Sequence, residues 1–311
     1  PLFSNILDYD PELFLYIGDN IYGDTDDMAV LRAKYKVLGE KDGFRRLQKS
    51  AITLATWDDH DYGVNDGGAG YKQRKASQQL FAQFWDDAPD SPRRMREGVY
   101  DAHVFGPPGQ RVQIILLDTR YFRSDLKKGE RRVGGPYYPS DDPQATMLGE
   151  AQWDWLEKQL RVPAEIRLVA SSIQLVPAAA GQETWANLPL ERARFMKLIT
   201  KTKADGVFVI SGDRHWADFS KTTSGVPYPL YDFTSSSINQ RHARGTPTEN
   251  PHRLLDRTFH EENFATIDID WSGADPQISV SIVDLNGQKP LSHTFNLSEL
   301  SSSTDEAPKD K

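Results

Sequence analysis

Cysteine is absent from the chain, which excludes disulfides, thiolate nucleophiles and cysteine metal ligands, and leaves the redox compartment open. Any metal ligands have to come from Asp, Glu, His, Asn, Tyr or the backbone. No apolar run approaches the roughly 20 residues that cross a bilayer, so no membrane span is expected. The opening PLFSNILDYD has neither a basic start nor a long apolar segment, and no signal peptide is expected in it. Basic residues are in deficit, 37 Lys and Arg against 45 Asp and Glu, and the net charge of -8 repels a nucleic-acid backbone. A small phosphate ester at a local cation remains compatible with that balance. Repeats and linkers are missing too, so 311 residues are expected to form one domain over 1–297. A polar tail, 298–311, has few apolar anchors and is expected to be disordered.

What is present is a set of apolar runs that each end in acid. The organising stretch is ATWDDHDYGVND, Ala55 to Asp66, directly after the strand-like Ile52 to Leu54. Leu13 to Ile17 is an unbroken apolar run that suits a strand covered on both faces, and it ends in GDNIY. Val112 to Leu117 ends in Asp118, Thr119 and Arg120, and Val207 to Ile210 runs into Ser211, Gly212, Asp213, Arg214 and His215. Arg167 to Val176 reads as a further strand carrying Ser171, Ser172 and Gln174 towards its end. Helical spacing marks Pro1 to Tyr9, Met28 to Leu38, Phe44 to Ser50, Ala76 to Trp85, Leu148 to Leu160 and Pro189 to about Ala204, with Asp26 or Asp27 available as an N-cap. Tyr228 to Gln240 mixes strand-like residues with a turn. Phe264 to Asp270 and Gln277 to Asp284 alternate apolar and polar residues as antiparallel strands do. Ser124 to Pro143 has no periodicity and is expected to run over the surface.

A solvated aspartate turn explains any one of these clusters as well as a site does. Three strand ends with Asp19 and Tyr22, with Asp58, Asp59, His60 and Asp61, and with Asp213 and His215 are harder to assign to chance. Parallel or mixed strands place their ends along one rim, where the clusters would converge. Carboxylate and imidazole suit hard ions, and two such ions can hold an attacking hydroxide for displacement at phosphorus. Asp19 could bridge them, and His60 could protonate the leaving alkoxide. An extended backbone would aim Asp213 and His215 to the same side. For Arg120, a phosphate clamp and an ion pair to Asp118 or another carboxylate are both open.

GDNIY, WDDHDYGVND, LDTRYFR and SGDRH, in this order and spacing, resemble the PhoD-like alkaline phosphatases of the calcineurin-like metallophosphoesterase superfamily, and the resemblance runs from Pro1 to the strand region near Asp284. It implies an α/β fold, a four-layer αββα sandwich of two mixed β-sheets flanked by helices. It also implies hydrolysis of phosphomonoesters or phosphodiesters by a metal-activated water with a histidine general acid. Iron and calcium (Fe3+ and Ca2+) are the implied ions, and export to the periplasm or beyond the cell is the implied location. Carried over by position, Asp19 bridges the metals, Tyr22 binds ferric ion, Asp59, Asp213 and His215 are further ligands, and His60 is catalytic. Asn65 and Arg120 fall in motifs that supply substrate contacts or support the ligands, and Gln174 sits near where many relatives carry a histidine. The implied partner is a small phosphate ester, with no protein partner inferred. The family also carries a strand ending in a cysteine ligand before the opening helix. This sequence contains neither, so a sandwich lacking its first strand is expected, and a catalytically impaired metal- or phosphate-binding module is the alternative to a working hydrolase.

Overall fold

Branched and aromatic runs become the strands in the computed structural model, which describes residues 2–242 and 249–302. After helix α1 (Leu2–Asp8), strand β1 (Leu13–Ile17) lies parallel to β2 (Ile52–Thr56), and helices α2 (Met28–Gly39) and α3 (Asp42–Ser50) make the crossover. Asp27 caps α2 by accepting the Ala29 N–H at 2.8 Å, satisfying one of the amides that a helix start leaves open. A single turn α4 (Asp59–Tyr62), then α5 (Arg74–Phe84) and α6 (Pro92–Met95), lead to β3 (Asp101–Phe105) and β4 (Val112–Leu116). The hairpin of β5 (Lys128–Arg132) and β6 (Gly135–Tyr137) precedes α7 (Gly149–Leu160), β7 (Ile166–Ser171), α8 (Pro189–Thr202) and β8 (Val207–Ser211). Strands β9 (Asp218–Thr222) and β10 (Leu230–Thr234) follow, and then the antiparallel β11 (Asn263–Asp270), β12 (Gln277–Asp284) and β13 (Leu291–Asn296).

The large sheet has the order β3-β4-β7-β8-β10-β9. Its four inner strands are parallel and both edge strands antiparallel, so the sheet is mixed. Strands β4, β7 and β8 are nearly all buried on both faces, as their continuous apolar sequence requires. Alternation along β1 divides its side chains. Leu13, Leu15 and Ile17 pack on the core of the large sheet with α7 and α8, whereas Tyr16 packs with α1, α2, α3 and α5 through Ile6, Leu31, Phe44 and Phe81.

The structure departs from the sequence reading where the apolar signal is thin. Strand β7 stops at Ser171, and Ser172 to Val176 leave the sheet. The stretch Ser124 to Pro143 contains the β5–β6 hairpin, and β3, β9 and β13 were not separated from their surroundings. These strands are short and mix apolar with charged or hydroxyl-bearing residues, so no periodic run announces them. At the C-terminal end, Leu297–Leu300 form a 3-10 turn with Leu300 buried. The part of the expected tail from 303 to 311 lies outside the described residues.

Candidate metal centre

The exits of β1, β2, β7 and β8 crowd together. A Cβ on Gly18 would fall 2.4 Å from Asp58 Cβ and 3.2 Å from Ser172 Cβ, and Gly18 has φ +116°. Only glycine lets β1 leave the sheet that close to β2. Gly212 N donates to Ser172 O at 3.0 Å, joining the β8 exit to the β7 exit. Asp61 ties the first two exits together, accepting Ile21 N and Asp58 N on its two oxygens at 2.9 Å each. It is fully buried, its pKa is pushed up to about 7 by burial, and its role is to hold backbone.

Asp19, Asp213 and His215 all sit in the left-handed region, with φ of 51°, 66° and 59°. The extended geometry expected for Asp213 and His215 is therefore incorrect. They converge because the turn after β8 is left-handed, a conformation that aspartate tolerates better than most residues.

The side chains meet as three overlapping groups whose donor atoms lie within 4.8 Å of one another: Asp19, Asp58, Asp59 and Asp213; Asp19, His60 and His215; and Asp59, Asp66 and Glu183. Tyr22 Oη lies 3.1 Å from His215 Nε2 and 3.4 Å from Asp19 Oδ2, and His215 Nε2 is 3.2 Å from Asp19 Oδ2. The structure thus brings together Asp19, Tyr22, Asp59, His60, Asp213 and His215. Asn65 is exposed on the loop after α4 and belongs to none of the groups. Gln174 is also outside them, donating to Thr234 Oγ1 at 2.9 Å.

For Arg120 the structure shows the ion pair of the two alternatives. Its guanidinium is 0% exposed, with Nε 2.5 Å from Asp58 and Nη1 2.9 Å from Glu183. Asp118 instead accepts the backbone N–H groups of Val99, Arg120 and Tyr121. Arg123 also reaches Glu183, at 3.0 Å. The sequence reading missed Glu183, Asp24 and the part played by Asp66. Asp24 Oδ1 lies 2.6 Å from His60 Nδ1, and Asp66 N donates to Asp59 Oδ2 at 2.7 Å. Asp24 and Asp66 stand beside recognised motifs and were open to inference, whereas nothing local marks Glu183.

Burial and mutual repulsion raise the pKa of Asp19 and Asp58 well above the carboxylate range, and burial raises Asp213. Asp59 goes the other way: burial pushes it up, but Arg120, His60 and two backbone N–H groups outweigh it. Burial and the neighbouring Arg214 cation depress His215 to about 4, leaving it neutral and able to donate a lone pair. Asp19 Oδ1 and Asp58 Oδ2 are buried without a hydrogen-bond partner. Carboxylates packed this closely cannot all ionise alone. Unpartnered oxygens beside a neutral imidazole and a phenol make a hard donor set, and a di- or trivalent cation fits it.

A family model described as PhoD-like phosphatase matches residues 1–270. Alkaline phosphatase D of Bacillus subtilis (strain 168) is 26% identical over 206 residues, covering 56% of this chain and 34% of the relative. The structure of PhoD gives a TM-score of 0.66 at 18% identity, covering 91% of this chain and 63% of that one. GAP50, described as the anchor in the inner membrane complex of Plasmodium, gives 0.57 at 12% identity, covering 95% and 81%. The aligned part is about a third of the curated relative, and at these identities the two structures establish a shared mixed α/β fold with a large mixed sheet and flanking helices.

Proposed function

The chain belongs to the PhoD-like phosphatase family, and from that premise we propose that it is a metal-dependent hydrolase of phosphoric esters. Asp19, Tyr22, Asp59, Asp213 and His215 would hold the cations, with Asp58 beside them. The observation that carries the reading is Asp19, which contributes an oxygen both to the four-carboxylate group and to the group with two imidazoles. A carboxylate shared by two ions has to stand in such a place. Bound cations would neutralise the phosphoryl oxygens and acidify a water nucleophile. Fe3+ with Ca2+ is the pair we propose from the family resemblance.

The protein's own groups supply the rest. Asp24 engages His60 Nδ1, which orients the ring and leaves Nε2 free to give a proton to the departing alkoxide. Arg120, paired in turn with Glu183, braces the Asp58 carboxylate and lies 4.0 Å from Asp59, which makes it a support for the ligands in this proposal, and exposed Asn65 is the proposed substrate contact. Phosphomonoesters and phosphodiesters both fall within the reading. We take 1–297 as one domain, layered as an αββα sandwich, which the two-sided packing of β1 supports. A periplasmic or secreted location is part of the same proposal.

Elemental analysis joined to turnover of a chromogenic phosphoester, with and without chelator, tests it. Stoichiometric metal with chelator-sensitive turnover is expected. Full metal loading with no turnover would favour the binding-module alternative.

A further inference from the structure

The hairpin of β5 and β6 carries charge that hydrolysis at the centre does not use. Lys127, Lys128, Arg131 and Arg132 fall within six residues, with Glu130 as the acid among them. None of these cations forms an ion pair with a described residue. In a chain of net charge -8 this is a local reversal of sign. The arm is also braced. The Arg132 guanidinium stacks 3.9 Å from the centre of the Tyr138 ring, and Tyr138 Oη donates to Glu130 O at 2.9 Å. Gly129 makes room for that ring, since a Cβ there would come within 2.7 Å of it. At the root, Tyr137 Oη donates to the Asp66 carboxylate and Tyr137 N to Gly181 O at 3.2 Å. At the tip, Val133 lies in the turn and is 80% exposed, the most exposed large apolar side chain among the described residues.

We propose that this hairpin docks the protein on an anionic bilayer surface. The cations meet the headgroup phosphates, and Val133 enters the boundary of the acyl region. A soluble polyanion would engage the cations and leave Val133 in water, so the bilayer accounts for more of the arm. Val133 is four residues from Tyr137, which places the tip no more than about 13 Å along the strand from the residue that touches Asp66. Docked this way, the centre stands near a surface built of phosphodiesters, a class of ester within the proposed chemistry.

The test is sedimentation of the full chain with phosphatidylcholine vesicles, with and without phosphatidylserine, which needs no turnover and so stands or falls apart from the hydrolase reading. Each basic residue near an anionic surface strengthens partitioning about fivefold. Lys127→Gln, Lys128→Gln and Arg131→Gln together, sparing the stacked Arg132, are therefore expected to weaken binding to serine-containing vesicles about a hundredfold. Val133→Ser should weaken it about tenfold, and added salt should reduce the charge-driven part. Turnover of a small soluble ester should not change in either variant. Failure of the unaltered chain to bind phosphatidylserine vesicles would overturn the proposal, as would undiminished binding by the triple variant. Tight binding of soluble polyphosphate, unaffected by Val133→Ser and without vesicle binding, would overturn it in favour of a polymer site.

Discussion

Replacing Arg120 with methionine removes the one cation between Asp58 and Glu183 while keeping an apolar stem of similar length. Both carboxylates are fully or almost fully buried and lie at 2.5 and 2.9 Å from the guanidinium, so the substitution takes the guanidinium from Asp58 and leaves Glu183 with Arg123 alone. Breaking a buried pair from one side costs about 3–5 kcal/mol. Unfolding entropy for 311 residues is roughly 0.65 kcal/mol/K, so Tm should fall by about 5–8 °C. Thermal unfolding is to be followed at neutral pH in chelator, so that no cation substitutes for the missing guanidinium. The cost has a direction in pH. Burial pushes the Glu183 carboxyl up, but Arg120 and Arg123 hold it below the usual range. A depressed carboxyl contributes stability above its unfolded pKa, about 4.3 for Glu, and loses that contribution as pH falls through its folded value. The difference between Arg120→Met and the parent should therefore narrow as pH drops below about 4. Adding Asp58→Asn, which removes the carboxyl that Arg120 faces and can keep the bond to Ser172 Oγ, should recover part of the loss. A Tm within about a degree of the parent, together with a raised KM for phosphoester, would refute the ion-pair account and return Arg120 to the role of substrate clamp.

His60→Asn should lower turnover of alkyl phosphoesters by about 10²–10⁴-fold, with less effect on nitrophenyl esters and no loss of metal; equal loss of metal and activity would make His60 a ligand instead. Burial pulls the His60 pKa down, but Asp59 and Asp24 outweigh it and hold it above the ordinary range. The acid form thus persists to higher pH, and the alkaline limb of the rate profile should move down in Asp24→Asn. Tyr22→Phe should abolish the visible absorption of the ferric-loaded chain, and an unchanged spectrum would remove Tyr22 from the ligands. Gly18→Ala should destabilise the chain by about 1–3 kcal/mol through overpacking on Asp58 and weaken cation binding; unaltered metal content and Tm would show that the strand exit gives way freely.

Long apolar strands and the motifs at their ends were legible because each is a local pattern. Val112 to Leu116 and Val207 to Ile210 are almost wholly buried and Leu13 to Ile17 is partly so, and burial on both faces writes itself into consecutive residues. Glu183 was not legible. It lies 63 residues from Arg120, and only the folded chain sets the two 2.9 Å apart. Arg120 stood before two readings of equal local merit, and what chose between them was that distant carboxylate. Residues that hold a ligand in place leave weaker traces than the ligand itself, since many side chains can do the holding.

The same limit explains why the aspartate turns were ambiguous. Asp19, Asp24, Asp66 and Asp213 all have positive φ, the conformation for which aspartate is common in ordinary turns. A turn and a ligand here are one object: the left-handed backbone that ends the strand also swings the carboxylate over the rim. Composition cannot separate the two, because both ask for aspartate. Partnering can. A turn aspartate in water satisfies both oxygens, whereas Asp19 keeps Oδ1 buried and unpaired. Asp19→Asn therefore discriminates. If Asp19 only shapes the turn, the amide relieves repulsion among the carboxylates, and the chain gains stability in chelator with its metal content intact. If it bridges cations, the same substitution still gains stability in chelator but loses metal, and the added stability that metal gives the parent disappears. Retained stoichiometric metal in Asp19→Asn would sink the bridging role.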